Sequence, residues 1–238
     1  QYLFESTRPG YDQRVRATLR ECLELHFSQQ QDAIGLLDND ALVAVAFICS
    51  PEAKSSFTDH FNWRVKMILT AGLNSTKRFV RYNQQVRMCL PDEHYHILPF
   101  IGVHPKSQNR GFGRVLMDVV EGICRDHPQS AGIGLDTGNT RYIRFYTNIG
   151  FQKVGEVVLG NFAESVMFKP CAWFSLLQIN YLLSFPLIPS DKLGIITKPS
   201  SYFYLPLLQL LAPMAQAGLI NLGYTHSIVN VDQISAKM

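Results

Sequence analysis

The sequence predicts a mixed α/β fold followed by an apolar extension. Three observations lead there. Segments with helical periodicity alternate with runs of branched and aromatic residues. The strand-like run 94–103 passes through a glycine-bearing turn into a helical pattern that opens at Gly113. Charge then almost vanishes after Pro170, where Asp191, Lys192, Lys198, Asp232 and Lys237 are the only charged side chains left.

Each element has its own warrant. Residues 11–27 set Val15, Leu19, Cys22, Leu23, His26 and Phe27 on one face, with Arg14, Arg16, Arg20, Glu21 and Glu24 elsewhere, which predicts an amphipathic helix. Residues 33–37 and 41–48 read as two strands around the turn Asp38, Asn39, Asp40. Helices follow over 58–71 and 76–90, the second closed by Pro91. Residues 94–103 are predicted as a strand, and 113–125 as a helix with Val115, Leu116, Val119, Val120 and Ile123 on one side. A short buried strand is predicted at 131–136, then a helix at 139–149 stopped by Gly150. Two closing strands, 151–159 and 164–168, complete the pattern.

The 238 residues accommodate one large domain with an appendage, and 47% apolar content supplies a sizeable core. We read residues 1–170 as the domain and 171–238 as the extension. A net charge of +3 is too mild for a protein whose main partner is nucleic acid. The five cysteines are dispersed, with no C-x-x-C pair and no metal-ligand spacing, so reduced thiols in a cytoplasmic protein and no metal are expected. No secretory leader is read at the N-terminus, because a basic segment followed by a long apolar run is missing. The uncharged stretches 171–190 and 199–231 exceed the roughly 18 residues of a membrane span. Gln178, Asn180, Pro186 and Pro189 interrupt the first, and Pro206, Gln209, Pro213, Gln216 and Asn221 the second. The expectation is therefore packing or peripheral contact, for example a helix at 205–222 covering the sheet or the second subunit of a homodimer, rather than a membrane span.

The chemistry sits at the turn. A helix N-terminus leaves backbone N–H groups unpaired and carries partial positive charge, so a diphosphate can lie against it. Gly111 and Gly113 let phosphate oxygens approach the backbone, and Lys106, Arg110 and Arg114 surround it with positive charge. A dinucleotide-binding turn is the rival, since Asp136 ends a strand near the spacing of a ribose-binding acid. That pattern fails because Leu116 occupies the third glycine position and Pro105 lies in a long loop.

Gln108, Gly111 and Gly113, following Val103 and Pro105, together with Asn139, Tyr142, Tyr146, Gly150 and Phe151, resemble the two signatures of the GNAT superfamily of acyl-CoA N-acyltransferases. The resemblance covers about residues 30–169. It implies a mostly antiparallel sheet with one splayed parallel strand pair, 94–103 and 131–136, flanked by helices. It also implies acetyl-CoA as co-substrate, its pyrophosphate on Gln108, Asn109, Arg110, Gly111, Phe112, Gly113 and Arg114. The pantetheine arm would pair with the backbone at Phe100, Ile101 and Val103, and Asn139 and Tyr146 would contact the coenzyme. Three departures stand out: Asn109 fills a common glycine position, no family strand is readable before Tyr11, and the chain runs on past Phe168 to Met238.

The implied reaction is attack of an amine on a thioester. An alkyl amine with a pKa of about 10 must first lose a proton, and a thiolate with a pKa of about 8.5 departs more easily when protonated. The resemblance gives the donor role to Tyr146. His94 and His96, two apart on a predicted strand, point to one face, and His96 is the first choice as base with Glu93 as an alternative carboxylate. His104 is read as a coenzyme contact or surface residue, and Asp136 as a cap for the next helix. The acceptor is a primary amine of a small molecule or peptide. Its face is assigned to the helices carrying Arg64, Lys66, Lys77, Arg78, Arg81 and Arg87. Use of a longer acyl-CoA, or a non-catalytic CoA-binding or membrane-associated interaction role, are the alternatives.

Overall fold

The computed structural model describes residues 10–39, 41–52, 57–92, 94–159, 162–171 and 193–196. The anticipated N-terminal stretch, the helix at 205–222 and the side chain of Glu93 lie outside them. Helix α1 (Tyr11–Ser28) precedes the antiparallel hairpin β1 (Asp32–Asp38) and β2 (Ala41–Cys49), and two helices, α2 (Phe57–Ala71) and α3 (Leu73–Cys89), follow. Then come β3 (His96–Val103), α4 (Phe112–Asp126), β4 (Gly132–Thr137), α5 (Thr140–Asn148), and the strands β5 (Gln152–Leu159), β6 (Phe162–Pro170) and β7 (Leu193–Ile196). The predicted interleaving is thus what forms.

Among the described residues, seven strands make one sheet in the order β5-β6-β4-β3-β2-β1-β7, antiparallel except for the β3–β4 pair. This is the mostly antiparallel sheet with a single parallel pair that the resemblance implies. Its edge beyond β1 is not bare: β7, from the C-terminal extension, pairs there, with Ala33 opposite Ile196 and Leu36 opposite Leu193. Helices cover both faces. Val15, Leu19 and Leu23 of α1 and Trp63, Met67 and Ala71 of α2 pack with Phe47 and Phe100 on one side. Leu116, Met117 and Val120 of α4 pack with Ile34, Leu135 and Met167 on the other. Among the described residues, no helix is long and apolar enough to cross a membrane.

Strand β3 opens the sheet. Phe47 faces Phe100 and Cys49 faces Ile97, so Leu98 and Pro99 together stand opposite Ile48 as a bulge. Pro99 has no N–H to offer a neighbour. The bulge reverses the side-chain alternation: Leu98 joins the α4 side and Phe100 the α1 side. Pairing of β3 with β4 stops after His96↔Ile133 and Ile97↔Gly134, and the two strands part beyond that point.

The expectation of five separate thiols is corrected, because Cys124 near the end of α4 and Cys171 just after β6 form a disulfide. Their 47-residue separation hides the pairing in the sequence. Strand β6 delivers Cys171 beside α4, where its N–H donates to the Ala131 carbonyl at 2.9 Å. Closing a loop of that length constrains the unfolded chain by about 4 kcal/mol in the chain-entropy account. Serine at both positions is therefore expected to lower the melting temperature by several degrees, whereas a reductant should no longer affect the double variant. Thermal unfolding with and without reductant checks both.

Candidate active site

The turn from β3 into α4 is built around backbone that only small or polar residues accept. Asn109 has φ 61 and Gly111 has φ 85, both in the left-handed region. Gly111 is the N-cap of α4, and no side chain caps the helix there. Its first N–H groups are therefore open to a ligand. Gly113 is informative for another reason. A Cβ there would meet Val103 at 3.8 Å and Phe145 at 4.0 Å, ordinary contacts, so the protein's own packing does not require glycine. The missing Cβ leaves room for close approach by something outside the chain.

These features border a cavity of about 260 Å³. One wall is Ile101, Gly102 and Val103 of β3; the floor is Gln108, Asn109, Gly111, Phe112, Gly113 and Arg114. Thr137 of β4 and Arg141, Tyr142, Phe145 and Tyr146 of α5 close the far side. The loop is braced from both directions. Gln108 Nε2 donates to the Val103 carbonyl at 3.2 Å, and Arg141 Nη2 donates to Asn109 Oδ1 at 2.8 Å. On its β2 edge β3 is paired through Phe100↔Phe47, Ile101↔Ala46, Gly102↔Val45 and Val103↔Ala44, while no strand among the described residues pairs its opposite edge over that stretch.

Tyr146 is buried at the inner end of this cavity, packed edge-on against Phe145 and Phe151. Burial first, then Tyr142 and Asp136, pushes its phenol above the ordinary tyrosine range, which keeps it protonated. A buried neutral phenol at that point can donate a proton.

Other sequence-designated residues stand elsewhere. The Phe100 side chain lies in the α1-side core, although its backbone borders the β3 opening. Arg110 is outside the cavity wall but next to it, with its guanidinium 2.9 Å from Asp38 and 4.8 Å above the ring of Phe112, a wall residue. Asn139 caps α5, its Oδ1 accepting from the Arg141 N–H at 2.9 Å, and is not in the cavity wall. His104 caps the short turn 105–107 and is also outside the wall. His94 is exposed ahead of β3. His96 is buried at the closed end of the β3–β4 pair, its Nδ1 2.7 Å from Ser130 Oγ, and burial followed by His127 pushes its pKa down to about 4. At about 3.3 Å per residue it lies some 16 Å of strand from Ile101.

One carboxylate beside the strand opening is Asp136, on the face of β4 that meets α3. It does not cap α5; Asn139 does. It is buried at the open end of β4, one residue from Thr137 in the cavity wall, and accepts the Tyr82 hydroxyl at 2.5 Å. The sequence placed it at a strand end but offered no sign of its partner 54 residues away on α3.

Residues 78–151 match the Acetyltransferase (GNAT) family. Among solved structures, the chain is similar to a histone acetyltransferase HPA2 and related acetyltransferase from Corynebacterium glutamicum. That similarity is 18% identity over 71% of this chain and 81% of the other, at a TM-score of 0.44. It is also similar to the ribosomal-protein-S18-alanine N-acetyltransferase of Escherichia coli, at 13% identity over 73% and 96% of the two chains and a TM-score of 0.42. A third is Arabidopsis thaliana NAA60 in complex with acetyl-CoA, at 16% identity over 54% and 66% of the chains and a TM-score of 0.33. A search of curated protein sequences finds no significant match.

Proposed function

We propose that this chain, which carries an acetyltransferase (GNAT) family domain, moves an acetyl group from acetyl-CoA to the primary amine of a small molecule or peptide. The observation that carries the reading is the uncapped α4 N-terminus, bounded by Gly111 and Gly113, opening into a cavity that runs along the unpaired edge of β3 to a buried phenol. A diphosphate suits the first feature, an amide-bearing arm the second.

In this reading the amine nitrogen attacks the thioester carbon, the new C–N bond forms, and the C–S bond breaks. Tyr146 gives its proton to the departing thiolate sulfur. The proton lost by the nitrogen goes to Asp136, which replaces His96 as the base because it borders the strand opening. Asp136→Asn is accordingly expected to lower turnover by about 10²-fold or more. His96→Gln should leave turnover within about threefold of the parent, with any cost falling on stability. Steady-state rates and thermal unfolding of the two variants decide between the bases.

The function itself is tested by thiol release from acetyl-CoA with a panel of amines, beside calorimetric CoA binding. Repeating the assay with longer acyl-CoAs reads the acyl preference. CoA binding with no turnover on any amine would favour a non-catalytic role. A chain ending at Pro170 keeps the whole α4 loop, so it should still bind CoA. It lacks β7 and the Cys124–Cys171 bond, so it should melt lower than the full chain; titration calorimetry and thermal unfolding check the two halves of this expectation.

A further inference from the structure

The sheet has a second chemical feature on the face opposite the cavity. Along β4, Ile133 and Leu135 face α4, and Thr137, in the same alternation, lines the cavity. Gly134 lies against Leu90, and Asp136 meets Tyr82 of α3, so both point the other way. On β6, Val166 and Phe168 share the core of Tyr82, which puts Glu164 on that same face. Ser165 stands opposite Thr137 and Val166 opposite Asp136, so Glu164 reaches the end of β4 where it has left β3. Its carboxylate rests on Gly138: a Cβ there would lie 2.8 Å from Oε2 and 2.9 Å from Oε1.

Glu164 is only 4% exposed, and its Oε2 has no hydrogen-bond partner among the described residues. Burying an unpaired carboxyl beside a second acid is unfavourable, and a bound cation relieves both penalties. Strand β4 parts from β3 after Gly134, and the Tyr146 phenol, raised first by burial and then by Tyr142 and Asp136, is within electrostatic reach of the Asp136 carboxylate.

We propose that Glu164, together with Asp136, is the ammonium-binding end of the acceptor site, so that the acceptor enters as a cationic primary amine from the α3 face and meets the acyl group through the β3–β4 opening. This rests on the reading of the cavity as the acyl-CoA site and adds the acceptor's charge class to it. A primary ammonium has three N–H donors for the two carboxyls; a quaternary ammonium has none, and an alcohol brings no charge. Burial, then Asp136, pushes the Glu164 carboxyl up to about 8, so it waits in neutral form. It releases its proton to solvent as the ammonium binds, and then takes one proton back from the ammonium to leave the neutral amine that attacks, the second proton going to Asp136.

The test variant is Glu164→Gln, which keeps shape and removes the acid. Among the described residues, the titratable group acting on Glu164 is Asp136 of β4, which in turn accepts the Tyr82 hydroxyl of α3. With the acid gone, the melting temperature at pH 8 should rise, whereas a merely structural carboxylate would show a fall. Phenethylamine and an alanyl tripeptide, titrated calorimetrically into the protein saturated with CoA, should bind about tenfold or more weakly to the variant, with CoA affinity unchanged. Gly138→Ala, which displaces the carboxylate without removing it, should weaken the same amines. Tetramethylammonium should not bind the parent. Equal amine affinity in Glu164→Gln and the parent, or no amine binding to the parent's CoA complex, overturns the proposal. Loss of CoA binding in the parent would instead overturn the reading of the cavity.

Discussion

Gly111→Glu is expected to raise the CoA dissociation constant by more than about a hundredfold in a chain that still folds. The position is open, since a Cβ there meets nothing within 4 Å, so the new side chain has room but points where the diphosphate would lie. A carboxylate there takes the helix N–H donors for itself and repels phosphate. Losing two charge-assisted hydrogen bonds, at about 1.5 kcal/mol or more each, corresponds to roughly that factor. Backbone strain has to be separated from charge, because φ 85 costs any L-residue about 1–2 kcal/mol. Gly111→Ala carries the strain without the charge. It should lower the melting temperature as much as Gly111→Glu does while keeping most CoA affinity. Titration calorimetry on both variants, with circular dichroism as the folding check, reads the outcome. Parental affinity in folded Gly111→Glu would remove the coenzyme site from the α4 turn.

Tyr146→Phe is expected to reduce turnover by about 10²- to 10⁴-fold, with CoA affinity nearly unchanged. The substitution deletes one hydroxyl and leaves the ring between Phe145 and Phe151, so the α5 core persists. The interaction matters as the thiolate departs, so the loss should appear in kcat and not in ground-state binding. The phenol's pKa is raised, so the donor stays protonated through the neutral range and is lost only as pH climbs above the usual tyrosine value of about 10. Any alkaline limb of the parent's profile that reports this group should therefore lie above that pH and vanish in the variant. Steady-state kinetics on the best amine, with chemistry rate-limiting, makes the comparison; a Phe variant within threefold of the parent would return Tyr146 to a packing role.

Much of the fold was legible because it is written in local periodicity. Val15, Leu19 and Leu23 repeat at helical spacing, and they are the residues of α1 that fill the core. Gln108, Gly111 and Gly113 are near neighbours, so the α4 turn was visible as a unit. What escaped depends on residues far apart in the chain. Arg110 pairs with Asp38, 72 positions earlier, a partner that no local pattern announces. His96 and His94 share an alternation pattern on paper, yet β3 starts at His96, and the opening lies on the other side of the bulge. Pro99 was the available clue, a residue without an N–H in the middle of a strand-like run. The acid pair Asp136 and Glu164 had no comparable signature, because only the β4–β6 register brings them together. The edge strand β7 was invisible because four residues, Leu193–Ile196, just after Asp191 and Lys192, are too few to show a strand periodicity.

The one-residue bulge at Leu98–Pro99 leaves a record that can be followed in deuterated solvent. Upstream of it, the β3–β4 ladder occupies amides on both edges of the strand. Downstream, from Phe100 to Val103, only the amides directed at β2 have a strand partner, so alternate positions along four residues should exchange at very different rates. An extended ligand arm lying along the bare edge would slow the fast set and leave the slow set unchanged. The strand thus carries its own internal reference, reporting occupancy amide by amide without any assay for the reaction.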